Sequence, residues 1–345
     1  MDIQEITKDV KNLKVFEALI KADNIINRAE YKTILCSISG GADSDIVLDI
    51  CHKVDRDKKI KYVWFNTGLE YEATKNHLNY LEEKYNIKIE RERAIQPIPL
   101  TCKKSGQPFL NKYVSNIINR LQKVDFKWED RPYEELLKEY PTQASAIKWW
   151  CNKYTEINGF EKVSRFDIGY NKWLKEFMIQ NPPAFAIDNK CCKYAKKDVG
   201  HVLEKKYDAD LSIIGVRQLE GGIRALAYKN CFSNNDDGID QFRPVFWFSD
   251  DDKKYYEDFF EVIHSDCYTK YGFKRTGCAG CPYNRELDQD MKITKKFEPK
   301  LYNAMNNIFR DSYEYTKKYR EFYNEMERKN KQMDGQISLF DYEEE

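Results

Sequence analysis

The chain has no excess of either charge: its 345 residues carry 57 Lys and Arg against 57 Asp and Glu. A global field that would draw it to nucleic acid or an anionic membrane is thereby excluded, and any polyanion contact must be local. No apolar run approaches the ~20 residues of a membrane span. The start, Met1-Asp2-Ile3-Gln4-Glu5, offers neither a basic segment nor an apolar core. These absences predict a cytoplasmic protein with no membrane partner. No internal repeat stands out, and no Gly-Lys-Ser/Thr follows Gly40-Gly41, which excludes a Walker A loop there. Ten cysteines in such a chain, including an adjacent pair and a Cys-x-x-Cys, read as metal ligands or reactive thiols before they read as disulfides.

What is present is an alternation of strand-like and helix-like runs. Residues 5 to 30 read as a helix, with Val10, Leu13, Phe16 and Ile20 at helical spacing. Strands are expected at 33–38, 61–65, 87–90 and 210–214, separated by amphipathic segments. That pattern predicts an α/β fold with a doubly wound, mostly parallel sheet covered on both faces. Residues 101–185 are mostly helical, aromatic and punctuated by Pro141, Pro182 and Pro183, and read as an insertion or lid. The expected organisation is an N-terminal helix (1–30), a first sheet part (31–100), the insertion, a second sheet part (186–285), a helical extension (286–331) and a disordered polar tail (332–345). The stretch Lys103, Lys104, Lys112, Arg120, Lys123, Lys127 and Arg131, interleaved with Phe109, Tyr113, Phe126 and Trp128, is a candidate polyanion surface. A solvated helix face accounts for it better.

Ser39-Gly40-Gly41-Ala42-Asp43-Ser44 lies between the apolar run 34–38 and a helix-like run from Asp45. Two adjacent glycines let the backbone take positive φ and approach an anion, while the following helix start points N–H groups at the same place. Ser39 and Ser44 add hydroxyls, and Asp43 can orient a magnesium ion or a water. A second loop, Asn66-Thr67-Gly68-Leu69-Glu70, and a third, Gly215-Val216-Arg217, also follow strands, where open α/β sheets place ligands.

Cys191 and Cys192 are adjacent, and Cys278-Ala279-Gly280-Cys281 supplies a Cys-x-x-Cys. Neighbouring side chains diverge too far for two corners of tetrahedral zinc but suit two corners of a cubane, so a four-iron, four-sulfur cluster is favoured over zinc. Lys190, Lys193, Lys274 and Arg275 flank these thiols and favour thiolates. Cys231 is a substitute ligand, and Cys267 flanks the same region. Cys36, Cys51, Cys102 and Cys151 read as core.

The string at 39–44 resembles the SGGxDS pyrophosphate loop of the adenine nucleotide α-hydrolase-like enzymes, which split ATP into AMP and pyrophosphate. From 31 to 283 the chain resembles the phosphoadenosine phosphosulfate reductase family within that superfamily. Phe65 to Glu70 is similar to its DTGxxF-type segment, with Asn66 in place of aspartate. Gly215-Val216-Arg217 and Arg224-Ala225 are similar to its GxRxxES…RA segment, although Glu220-Gly221-Gly222 departs from it, and Arg243 to Trp247 is similar to its PL…W segment. The paired cysteines resemble those of the cluster-bearing branch, which includes adenosine phosphosulfate reductases and DNA phosphorothioation proteins.

The resemblance implies a nucleotide site made of Ser39, Gly40, Gly41, Asp43, Ser44, Asn66, Thr67, Gly68, Gly215 and Arg217. Asp43, Ser44, Arg217 and Arg224 carry the chemistry, and Cys191, Cys192, Cys278 and Cys281 hold the cluster. ATP and Mg2+ are the other implied cofactors. The reductases use a thiol in a C-terminal Glu-Cys-Gly-like tail, whereas this chain has no cysteine after Cys281. The expectation is therefore an ATP-dependent sulfurtransferase-like enzyme that modifies a nucleic acid or nucleotide, fed by a sulfur donor such as a cysteine desulfurase. Two alternatives stay open. One is a reductase-type enzyme with another nucleophile, such as Cys231. The other is a nucleotide-binding module of a DNA-associated complex, suggested by Gln336-Ile337-Ser338-Leu339-Phe340, which resembles a sliding-clamp-binding peptide. Oligomerisation is compatible with all three.

Overall fold

The computed structural model describes every residue except 1, 154–155, 158–159, 162–165, 221–227, 236–237 and 341–345, with backbone alone at 156–157, 160–161, 220 and 333–340. The described residues fall into two compact units. The first comprises 1–98, 192–279 and 288–303, the second 99–191, 280–287 and 304–345.

The first unit is built on a six-stranded sheet. Its strands are β1 (Ile34–Ile38), β2 (Ile60–Asn66), β3 (Ile89–Arg93), β6 (Leu211–Ile214), β7 (Phe232–Ser233) and β8 (Asp240–Phe242). A separate two-residue pair, β4 (Glu156–Ile157) and β5 (Phe160–Glu161), lies in the second unit. The order in the main sheet is β3-β2-β1-β6-β8-β7, parallel throughout except where β7 runs antiparallel to β8. Side chains alternate across it with period two. Ile34, Cys36, Ile38, Tyr62, Trp64 and Ile213 enter the large core with the helices Leu13–Ile26, Ala42–Val54, Glu72–Tyr85 and Asp250–Phe259. Leu35 and Val63 point the other way, onto Val199 and Leu203 of the helix Asp198–Lys206. Burial on both faces is what makes β1 read as a continuous apolar run. β3 is an edge strand, and its Glu90-Arg91-Glu92-Arg93 charges discourage pairing with another chain.

Because β1 is flanked by β2 on one side and β6 on the other, the loop that leaves its carboxyl end sits at the topological switch point, with the loops after β2 and β6 beside it. This is the α/β, mostly parallel arrangement expected.

The N-terminal segment differs from the single helix expected over 5–30. Two helices form, Ile3–Thr7 and Leu13–Ile26, because the Asn12 side chain accepts from Val15 N (3.1 Å) and starts a new helix where the first would have continued. The second unit packs the helices Lys112–Gln122, Ala144–Trp150 and Leu174–Gln180 with the portion of Pro299–Phe340 that begins at 304. Its core holds Phe109, Ile118, Trp149, Trp150, Phe177, Tyr315 and Tyr319. The final helix thus groups with the insertion and runs beyond the expected end near 331, to Phe340, with a kink at Phe309. Among the described residues no helix is long and apolar enough to cross a membrane.

Candidate active site

β1 ends at Ile38 and the chain turns at once into the helix Ala42–Val54. Gly40 makes that turn at φ +69°, and a Cβ there would lie 2.6 Å from Thr74 Cγ2, so both its conformation and its space exclude a side chain. Ser39 N donates to Ser44 Oγ (2.9 Å), which closes the loop across its mouth. Gly215, at the end of β6, lies against the same turn, since a Cβ on it would meet Asp43 O and Ser44 Cα at 3.3 Å.

The backbone donors of the loop are partly spent inside the protein. Gly41 N reaches Ser39 Oγ (3.3 Å), Ala42 N reaches Tyr268 OH (3.2 Å) and Ser44 N reaches Gly41 O (2.9 Å). Tyr268 is held in turn by Thr276, whose N donates to its hydroxyl (3.2 Å) and whose Oγ1 lies 2.8 Å from it. Gly40 N and Asp43 N are the loop donors with no acceptor among the described residues.

The charged groups around the loop form a chain. Arg217 Nε donates to Asp43 Oδ2 (3.1 Å), and its Nη1 donates to Asp250 (2.8 Å). Lys253 Nζ stands 3.2 Å from Asp43 Oδ1, off the line of a hydrogen bond, and 3.7 Å from Glu257. Burial opposes ionisation of Asp43, but Lys253 and Arg217 outweigh it and hold its carboxyl below the usual range. Deeper in, Asp45 is fully buried and its Oδ2 is bonded to His77 Nε2 (3.0 Å) and His264 Nδ1 (2.8 Å). The other nitrogen of His264 meets Glu257 Oε1 at 2.8 Å. Burial pulls the His264 pKa down, yet the two carboxylates push it up to about 9, so the ring is an imidazolium at neutral pH.

The loop after β2 is fixed by its own side chains. Asn66 Oδ1 accepts from Gly68 N (3.0 Å) in an Asx turn, and the buried Thr67 spends both N–H and hydroxyl on Glu70 Oε1 (3.1 and 2.5 Å). Ala279 N donates to Leu69 O (3.2 Å). The segment 276–279 therefore runs from Tyr268 at the first loop to Leu69 at the second, and carries Cys278 between them. Burial raises the Cys278 thiol pKa, and Lys196 opposes that. Cys278, Glu70 and Cys192 in turn raise the Lys196 ammonium.

Of the sequence-derived site residues, Ser39, Gly40, Gly41, Asp43, Ser44, Gly215 and Arg217 come together at the switch point, and Asn66, Thr67 and Gly68 occupy the adjoining loop. Arg224 and the side chains of the Gln336–Phe340 segment lie outside the described residues. Cys192 and Cys278 share one neighbourhood in the first unit, whereas Cys191 and Cys281 belong to the second. Among the described residues no three Cys, His, Asp or Glu side chains converge as metal ligands. Cys192 and Cys278 are thus two thiols beside one cation, Lys196. Cys231 is buried, its carbonyl bonded to Arg243 N (2.7 Å), and Cys267 is buried with Sγ 3.7 Å from Thr74 Oγ1. In the basic and aromatic stretch, Phe109 and Phe126 are core residues, and Arg131 is spent on Glu129, Glu135 and Glu139. Sequence reading missed Lys253, Tyr268, Thr276, His264 and Asp45. Only Asp45, two places after Asp43, lay within reach of the motif.

The model of the phosphoadenosine phosphosulfate reductase domain matches residues 33–284. Among curated proteins, Uncharacterized protein MJ0066 of Methanocaldococcus jannaschii is 25% identical over 284 residues, which is 81% of this chain. The match spans only 42% of that relative's length. Among solved structures, a phosphoadenylyl-sulfate reductase from Candida auris in phosphate complex is similar at 13% identity and TM-score 0.40, covering 80% of this chain and 93% of that one. The U34-tRNA thiolase NcsA from Methanococcus maripaludis with its [4Fe-4S] cluster gives 11% and 0.37, covering 89% and 79%. The NH3-dependent NAD synthetase from Campylobacter jejuni gives 12% and 0.35, covering 91% and 96%.

Proposed function

The chain belongs to the phosphoadenosine phosphosulfate reductase domain family and is a nucleotide-using enzyme of the pyrophosphate-loop type; from that premise we propose that it is an ATP-dependent sulfurtransferase acting on a nucleic acid or nucleotide. ATP lies with its phosphates on the loop 39–44. An acceptor oxygen attacks the α-phosphorus, the bond to the bridging oxygen of the β-phosphate breaks, and pyrophosphate leaves. The acceptor is then an adenylate ester, and sulfide displaces AMP, which leaves with the acceptor oxygen, to put sulfur in its place; if the nucleophile is a persulfide, the acceptor disulfide first formed is cleaved by a second thiol, which leaves joined to the donor as a disulfide. The observation that carries this reading is the glycine turn at the switch point, with donors on Gly40 and Asp43 and with Arg217 and Lys253 beside it.

Each residue has a task in this scheme. Gly40 and Gly41 let the backbone approach the phosphates, and Ser39 presents a hydroxyl at the loop entrance. Ser44 keeps the loop closed. Asp43 would hold Mg2+, which when bound offsets polyphosphate charge, and Arg217 neutralises the nucleotide. Gly215 gives the loop after β6 its close approach. Cys278 and Cys192 lie at the neighbouring loop, which supports sulfur chemistry over simple hydrolysis. A four-iron, four-sulfur cluster on Cys191, Cys192, Cys278 and Cys281 is the finer reading, supported by donor type alone. Iron and acid-labile sulfide analysis of anaerobically purified protein tests it, and zinc without iron would replace it.

The experiment for the main reading is chromatography of ATP incubated with Mg2+, a sulfide source and RNA, DNA or free nucleotides in turn. AMP and pyrophosphate in equal amounts, dependent on one acceptor class, are expected. ADP and phosphate as products would overturn it, and conversion of adenosine phosphosulfate to sulfite would replace it with a reductase.

A further inference from the structure

We propose that Lys253 is a polyphosphate-binding residue of this site, a cation delivered to the loop from the helix Asp250–Phe259; the inference rests on the reading of 39–44 as a phosphate loop. The loop itself is poor in positive charge. Its side chains are Ser39, Ala42, Asp43 and Ser44, and the next residue is again acidic, Asp45. Four of its six backbone donors are spent within the protein, on Ser44, Ser39, Tyr268 and Gly41. Two N–H groups and a helix start offset only a fraction of the three to four negative charges of a nucleoside triphosphate. Cations must therefore come from elsewhere, and among the described residues two stand at Asp43, Arg217 and Lys253.

They are not equivalent. Arg217 is committed, with Nε on Asp43 and Nη1 on Asp250. Lys253 is held by distance but not by hydrogen bonds, since Asp43 Oδ1 at 3.2 Å has no hydrogen-bond partner and Glu257 is 3.7 Å away. Its side chain is 20% exposed and that of Asp43 beside it 15%. The residue stands in the first turn of a helix whose start is rigid. Ser249 accepts from Asp252 N (3.2 Å) and Asp252 accepts from Ser249 N (2.8 Å), while Asp252 also accepts from Asn12 (2.8 Å) and Lys14 (3.1 Å). A rotatable ammonium with unspent donors, on a fixed backbone, 3.2 Å from the acid of the loop, can leave Asp43 for a phosphate oxygen without moving the chain.

The test is equilibrium titration of the full chain with ATP, pyrophosphate and AMP in Mg2+, comparing wild type, Lys253→Met, Lys253→Arg, Asp43→Asn and the double variant Asp43→Asn/Lys253→Met. A charge-assisted contact to phosphate makes Lys253→Met weaken ATP and pyrophosphate about 10- to 100-fold, with AMP changed by less than about 3-fold. Lys253→Arg keeps the charge and most of the affinity, and the loss persists when Asp43 is already neutral. An ion pair that merely steadies Asp43 gives another pattern: equal loss for ATP and AMP, or disappearance of the Lys253→Met effect in the Asp43→Asn background. Either result overturns the proposal. Should Lys253→Met melt early, Lys253→Gln, which keeps a polar stem and removes the charge, decides it in the same titrations: a loss for pyrophosphate and ATP but not AMP supports the proposal, and an equal loss or none overturns it. Wild type that binds neither ATP nor pyrophosphate would instead remove the loop reading beneath it.

Discussion

At the level of single residues, the site depends on one glycine that nothing else can replace. Gly40→Ala puts a methyl at φ +69° and 2.6 Å from Thr74 Cγ2, so the loop or the Thr74 side chain must shift. A stability loss of about 1–3 kcal/mol in denaturant titration is expected, with ATP affinity falling at the same time. His264 gives a pH signature. Its pKa rises from 6.5 unfolded to about 9 folded, because the ring lies between Asp45 and Glu257. The stabilisation is fully present below about pH 6.5, declines as pH climbs, and is gone above about pH 9. Its size is of order 3 kcal/mol. Melting temperature measured from pH 6 to 10 should therefore fall in wild type and fall much less in His264→Asn. Equal slopes would show that the ring is not the titrating group.

Among the elements, the helix Asp250–Phe259 carries more of the site than its sequence announces. It presents Lys253 to the loop, Asp250 to Arg217 and Glu257 to His264. Its register rests on the Ser249 and Asp252 capping box, tied to the N-terminal helix pair through Asn12. Ser249→Ala should cost about 1 kcal/mol in a denaturation curve, and should also weaken pyrophosphate binding through Lys253; a loss of stability with unchanged pyrophosphate affinity would separate the cap from the site. The same helix marks what could and could not be read in advance. The turn at 39–44 was legible because its parts are contiguous, and the β1, β2, β3 and β6 strands were legible because apolar runs repeat between amphipathic helices. Lys253, Tyr268 and His264 were not, since they arrive from more than 200 residues away and only the winding of the sheet brings them to the loop. The break at Asn12 was hidden by a helical spacing that continued through Val10, where the cap overrode periodicity. The short strands β7 and β8 carry too few residues for an alternating pattern to register.

For the molecule as a whole, the parallel sheet places three loops at one edge, and the order β2-β1-β6 decides that the glycine turn at 39–44, the Asn66–Glu70 turn and Gly215–Arg217 are neighbours. Cys278 is strung between the first two, which in the proposed reading sets a thiol beside the nucleotide within one unit. The most direct measurement is an experimental structure with Mg2+ and an ATP analogue whose α,β-bridge is methylene. The account predicts phosphate oxygens within hydrogen-bond distance of Gly40 N and Asp43 N, with Arg217 and Lys253 on the same group. An analogue seated elsewhere, with the 39–44 turn open to water, would contradict it.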